Sequence, residues 1–173
     1  HGIDSELRLT GVELASRPDL PGDIAWTDEL PATIDGLLIA HEWLDNIPCD
    51  VVELDDDGVV RLVEVEPDTG AESLGEPVES AWLDRWWRLT EPGCRAEIGE
   101  PRDDAWADAV GRVHGIALDV DYGHIADTRP PFGSLASVAD GHEVDVVPDG
   151  TRDVSAHVAV DAVAARVGAT AER

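Results

Sequence analysis

Residues Leu37 to Val52 read LLIAHEWLDNIPCDVV. The stretch opens on an apolar run, Leu37-Leu38-Ile39-Ala40, then places His41, Glu42, Asp45 and Asn46 within six positions before Pro48 closes it. A buried strand that ends in a cluster of polar groups is how an open α/β sheet presents a site, because ligands in such sheets bind outside the carboxyl ends of the strands. The pattern returns at Ile116 to His124, IALDVDYGH, an apolar run that ends on Asp121, Tyr122 and His124. Asp119 breaks the second run, and a carboxylate on a covered strand is costly without a partner.

Working outward, Leu7 to Leu14 reads as a strand with Glu13 at its carboxyl end, and Ile24-Ala25-Trp26 as a very short one. Val51 to Leu54 and Val59 to Glu66 are β-rich runs on either side of Asp55-Asp56-Asp57-Gly58, and Asp-Gly is a strong hairpin signal. Ser80 can cap a helix in which Trp82, Leu83, Trp86 and Trp87 form one apolar stripe, read as core packing. Pro101 suits the first turn of a second helix with Trp106, Ala109, Val110 and Val113 inward and His114 at its end. Residues 125–132 read as loop, and 133–148 can hold short strands. Asp153 to Val158 leads into a final helix with Val160, Val163, Ala164 and Val167 on one face and Gly168 as its stop. Strands alternating with helices predict an α/β domain with a mainly parallel sheet.

Composition narrows the function. The chain has 173 residues, a size for one domain, with 38 acidic against 12 basic residues and a formal net charge of −26. All the basic residues are arginine, and methionine is absent, a pattern that fits a GC-rich coding sequence. Such a charge repels nucleic-acid phosphates and anionic membranes, so neither is expected as a partner. No apolar stretch reaches the length of a membrane span, and no signal-peptide pattern is visible. Cys49 and Cys94 lie far apart and suit reduced thiols of a cytoplasmic protein.

The motifs leave several chemistries open. His41-Glu42-Trp43-Leu44-Asp45 resembles half of a zinc-binding H-E-x-x-H helix, but Asp replaces the second His and Pro48 cuts any helix short. Metal-assisted hydrolysis is therefore a remote alternative, and no metal ligands are assigned. Glu13 sits where a nucleotide-binding sheet places an acid on the ribose hydroxyls, yet the glycine-rich turn that should precede it would lie before His1.

Three blocks taken together carry a resemblance. EWLDNIPCDVVE (Glu42 to Glu53), ALDVDYGH (Ala117 to His124) and PDGTRDVSAHV (Pro148 to Val158) occur in the order found in the MidA-like family of S-adenosylmethionine-dependent methyltransferases, and RAEIGEPRDDAW (Arg95 to Trp106) is similar to its actinobacterial-type branch. The family includes the mitochondrial complex I assembly factor that methylates a protein arginine. The resemblance implies a Rossmann-like class I methyltransferase sheet that binds S-adenosyl-L-methionine. It implies one partial domain over residues 1–173, lacking the first strand with its glycine-rich loop and the last strands, with a hairpin and Trp-rich helix inserted over residues 49–100. It implies that Glu42 and Asp45 are catalytic, and that Glu13, His41, Asp121 and Tyr122 are on the cofactor side. His41 stands where the family often has Asn. A protein arginine is the implied acceptor, and the chain alone is expected to be inactive. The competing expectation is a non-catalytic interaction fragment or pseudoenzyme.

Overall fold

The computed structural model describes residues 7–139 and 141–169. In chain order the strands are β1 (Leu9–Val12), β2 (Ile24–Thr27), β3 (Ile34–His41), β4 (Val51–Leu54), β5 (Val60–Val65), β6 (Glu72–Pro77), β7 (Arg95–Glu97), β8 (Val113–Val120), β9 (Gly123–His124), β10 (Ala136–Ala139), β11 (His142–Val144), β12 (Asp153–Ser155) and β13 (Val158–Ala159). The helices are α1 (Ala81–Trp86), α2 (Glu100–Gly111) and α3 (Val160–Arg166), with 3-10 turns at Leu44–Asn46 and Ala126–Thr128.

The expected strand at Leu37 is the longer β3, and it pairs in parallel with β8 over its whole length, from Ile34 opposite Val113 to His41 opposite Val120. Parallel neighbours need a crossover, and here it runs through β4 to β7, α1 and α2. Midway along, Gly36 faces Gly115, where φ is 139° and 156°. A Cβ on Gly115 would collide with the Gly36 carbonyl, so the backbones meet more closely than any side chain allows.

The side chains of the pair alternate as strand geometry demands. Leu38, Ala40 and Ala117 join a core with Leu44, Trp106, Ala109, Val158 and Val163, brought by α2, β13 and α3. Leu37, Ile39, Ile116, Leu118 and Val120 point to the other face and are 45–68% exposed. No described residue covers that apolar face enough to bury them.

The expected hairpin forms with its turn and two strands, and it grows into a four-stranded antiparallel sheet in the order β6-β5-β4-β7. Asp55 builds the turn: Oδ1 accepts the Asp57 and Val59 N–H groups, and Oδ2 accepts Arg61 Nε at 2.6 Å. The Arg61 guanidinium holds this carboxyl below the usual range. Ser80 caps α1 as expected, its hydroxyl accepting the Leu83 N–H. Trp82, Leu83 and Trp87 pack with Val52, Ala96, Ala159 and Ala162 into a second core.

Three expectations need correction. The sheet is not mainly parallel: β3–β8, β1–β2 and β9–β13 are parallel pairs, but the largest sheet is antiparallel, as is β11-β10-β12. Short polar runs such as β6 (ESLGEP) carry no apolar period, yet pair because β5 offers them a free edge. Val113 and His114 belong to β8 rather than to the end of α2, since β-branched Val113 pairs with Ile34 once the helix stops at Gly111. The lead into the last helix is two strands, β12 and β13, and α3 follows directly.

Candidate functional site

The carboxyl ends of β3 and β8 carry both polar clusters, as strand ends in α/β sheets do. The turn after β3 departs from regular geometry at once. Glu42 has φ 48°, the left-handed region that a branched or long side chain enters only at a cost of about 1–3 kcal/mol. Its N–H still donates to the Val120 carbonyl at 2.9 Å, so the departure comes after the last ladder bond. Asn46 then reaches back, its Nδ2 donating to the Glu42 carbonyl (3.1 Å) and to Asp45 Oδ1 (2.7 Å). Pro48 ends the turn, which explains why a zinc-type helix does not form there.

Asp121, from the end of β8, organises this turn. Its Oδ2 accepts the Leu44 N–H (2.8 Å) and the Asp45 N–H (3.2 Å), and its Oδ1 accepts the Tyr122 N–H (2.8 Å). Both oxygens are thus engaged by backbone. Leu44 is fully buried beneath the turn, and Asp45 is 6% exposed.

The electrostatics follow from crowding carboxylates at one end of a sheet. Burial raises the Asp45 carboxyl, and the Asp121 charge raises it further. Asp119 is pushed up to about 6, by burial first and then by Asp121 and Asp45. Its Oδ1 is buried without a hydrogen-bond partner among the described residues. The awkward carboxylate of the strand therefore faces the covered side, next to the site. Asp45, Asp119 and Asp121 together give this strand end a negative potential that favours a cation. Among the described residues no group of three or more His, Cys, Asp and Glu side chains could hold a metal ion.

The structure brings Glu42, Asp45 and Asp121 together and puts Tyr122 beside them. His41 is exposed at the end of β3 with no side-chain hydrogen bond among the described residues. Glu13 follows β1, its N–H bonded to the Thr27 carbonyl and its Oε1 accepting the Ala15 N–H at 3.1 Å. No hydrogen bond among the described residues links it to the turn.

Two residues near the site, Arg102 and His157, escape a reading of motifs, and His124, named with its cluster, has partners the sequence does not show. Arg102 is 2% exposed, and its guanidinium donates to the carbonyls of Asp45, Ile47 and His157. His157 stacks on Tyr122 with ring centroids 6.1 Å apart and planes 23° apart. His124 is buried against the edge of Trp87, and Arg129 Nη1 lies 2.7 Å from its Nδ1. Burial, then Arg129 and His157, pull its imidazole down to about 4. The only sequence signal was position: each lies in or beside a block that carries the family resemblance.

A parallel pair with carboxylates at its carboxyl ends places the chain among α/β proteins. More narrowly, the chain belongs to a family described as "Putative S-adenosyl-L-methionine-dependent methyltransferase", whose model it matches over residues 5–172. It is similar to a crystal structure from Burkholderia thailandensis of a "likely methyl transferase" bound to S-adenosyl-homocysteine, with 22% identity and a TM-score of 0.68, covering 84% of this chain and 40% of that one. A native crystal structure of an uncharacterised protein from the same organism matches with 22% identity and a TM-score of 0.66, covering 84% of this chain and 42% of that one. At this identity the likeness shows the fold. The chain thus spans about two fifths of the length of the solved structures it matches. No curated protein matches it.

Proposed function

We propose that this chain is the acceptor-side part of an S-adenosylmethionine-dependent methyltransferase domain of the MidA-like type, acting in the cytoplasm on a protein arginine. The observation that carries the reading is the turn at the end of β3. There a left-handed Glu42, a buried Asp45 and the Asp121 carboxylate that holds them meet at the carboxyl ends of a parallel pair. Membership of the family supports the cofactor.

The residues present fit that cofactor. Its sulfonium is a cation, and this strand end offers carboxylates, one of them with an oxygen that lacks a partner. Glu13 would hold the ribose hydroxyls, with His41 and Tyr122 on the cofactor side. When bound, the cofactor supplies an already activated methyl group. This chain then has to align the acceptor and exclude water. Glu42 and Asp45 would grip a guanidinium by paired charge-assisted hydrogen bonds, orient one nitrogen toward the cofactor and take up the proton which that nitrogen loses. Asp121 contributes through the turn it holds.

The uncovered apolar face of β3 and β8 supports the further reading that the cofactor-side half of the domain packs there, supplied by polypeptide other than the residues described. The test of the assignment is Glu42→Gln in the protein that carries both halves. Turnover is expected to fall about 100-fold with the melting temperature unchanged. A variant as fast as the parent would sink the role given to Glu42.

A further inference from the structure

Two of the charged side chains buried among the described residues, Arg102 and Glu97, are not paired with each other. Arg102 gives Nη2 to the Asp45 carbonyl (3.0 Å), Nη1 to the His157 carbonyl (3.1 Å) and Nε to the Ile47 carbonyl (3.3 Å). Glu97, 1% exposed, accepts the Ser134 N–H (2.8 Å), the Leu135 N–H (3.2 Å) and the Ser134 hydroxyl (3.1 Å). Neither makes an ion pair among the described residues. Burying an unpaired charge is costly, so each is kept for the backbone it fixes.

Both converge on one peptide. The His157 carbonyl accepts from Arg102, and the His157 N–H donates to Ser134 Oγ at 2.9 Å, the hydroxyl that Glu97 holds. On either side the chain is sealed: Ala156 and Val158 are buried, the Ala156 N–H donates to the Asp45 carbonyl, and the Val158 N–H donates to the Tyr122 carbonyl at 2.7 Å. Residue 157 is the exposed one in this run, and its ring lies on Tyr122, which is 57% exposed. The guanidinium that holds His157 also holds Asp45 and Ile47. One side chain therefore sets the spacing between the carboxylate turn and the stacked pair.

We propose that His157, stacked on Tyr122 where the cofactor side meets it, forms a wall of the acceptor site, and that Arg102 and the Ser134–Glu97 pair are the positioning residues that hold it beside the Asp45 turn. The inference deepens the proposed function and rests on it. A stacked pair of rings beside carboxylates takes the flat face of a cationic acceptor group.

The test is proton NMR of the histidine rings in the whole chain, with the His157 signal assigned by its loss in His157→Asn. The Tyr122 ring is expected to displace that signal upfield, and Tyr122→Leu to abolish the displacement. Arg102→Lys keeps the charge but loses the three-way fork, and is expected to abolish the displacement while the signal of His114, on β8, stays put. Ser134→Ala removes the other hold without disturbing the buried cation, and is expected to move the His157 signal alone. A folded variant of either kind with an unmoved His157 signal overturns the positioning role. N-acetyl-arginine amide then serves as the probe of a cationic group. It is expected to shift the His157 and Tyr122 signals, and to bind about 2–5-fold more weakly to Tyr122→Leu, the size of one exposed cation–π contact. A titration that moves neither ring overturns the wall. Calorimetry with S-adenosylmethionine on the protein carrying both halves separates the readings: absent cofactor binding beside intact ring responses would refute the methyltransferase assignment alone.

Discussion

The four-stranded insert and the β3–β8 pair are joined by residues 42–50, yet they are held in order by different means. The insert is antiparallel, its first hairpin closes on a four-residue turn, and Asp55 locks that turn with its own side chain. Its core of Val52, Trp82, Leu83, Trp87 and Ala96 is made almost entirely of residues within 44 positions of one another, with Ala159 and Ala162 laid over it. The parallel pair brings together residues about 80 positions apart and is covered on one face only. Antiparallel sheets tolerate one wet face, whereas parallel strands are normally covered on both. The candidate site therefore stands on the less self-sufficient part of the molecule, beside a part whose core is sequence-local.

The largest effect is expected from Trp82→Ala. It empties the insert's core and strips Asp103 Oδ2 of the indole donor 2.7 Å away, while Asp103 Oδ1 already lacks a partner among the described residues. A loss of about 3–5 kcal/mol in urea unfolding is expected. A much smaller loss would mean that the insert is not the more self-sufficient part.

Asp119→Asn sharpens the comparison from the other side. The folded Asp119 carboxyl lies at about 6, above its ordinary value of 3.8. Its proton is therefore bound more tightly in the folded chain, and stability is highest below pH ~4 and falls as pH rises toward 6. Removing that charge is expected to stabilise the chain by about 1–3 kcal/mol at pH 7 and by almost nothing at pH 4, read from urea unfolding at both values. Asp103, also raised to about 6 by burial, has the same sign, and His124, lowered to about 4, has the opposite one, its contribution being lost as pH falls toward 4. A gain that persists at pH 4 would show that Asp119 is strained by shape rather than by charge.

The smallest effect is expected on the open face. Ile116→Ser and Leu118→Ser should change the stability of this chain by no more than about 0.5 kcal/mol, because there is little burial to lose. A cost above about 2 kcal/mol would mean that the face is covered.

Much of this was legible in the sequence, for identifiable reasons. β3, β8, the Asp-Gly hairpin, the Ser80 cap and the Pro101 start each rest on local chemistry that few other residues supply. The strands β6, β12 and β13 were not legible, because they pair through backbone alone and carry no period. The carboxylates of the site could be named, since Glu42, Asp45 and Asp121 stand at the ends of apolar runs. Arg102 could not: its partners are carbonyls 55 and 57 positions away in opposite directions along the chain, and carbonyls leave no mark in a sequence.

The meeting of Gly36 and Gly115 has a consequence for assembly. If β8 slid along β3 by one or two residues, a side-chain carbon of His114, Ile116 or Ala117 would have to occupy the space beside the Gly36 carbonyl, where none fits. The two glycines work as a key and its slot, admitting a single alignment of the strands. Because a parallel ladder repeats evenly, that alignment carries to its far end. It sets Ala40 opposite Asp119 and His41 opposite Val120, so a contact between two residues with no side chains decides which carboxylates come to share the rim.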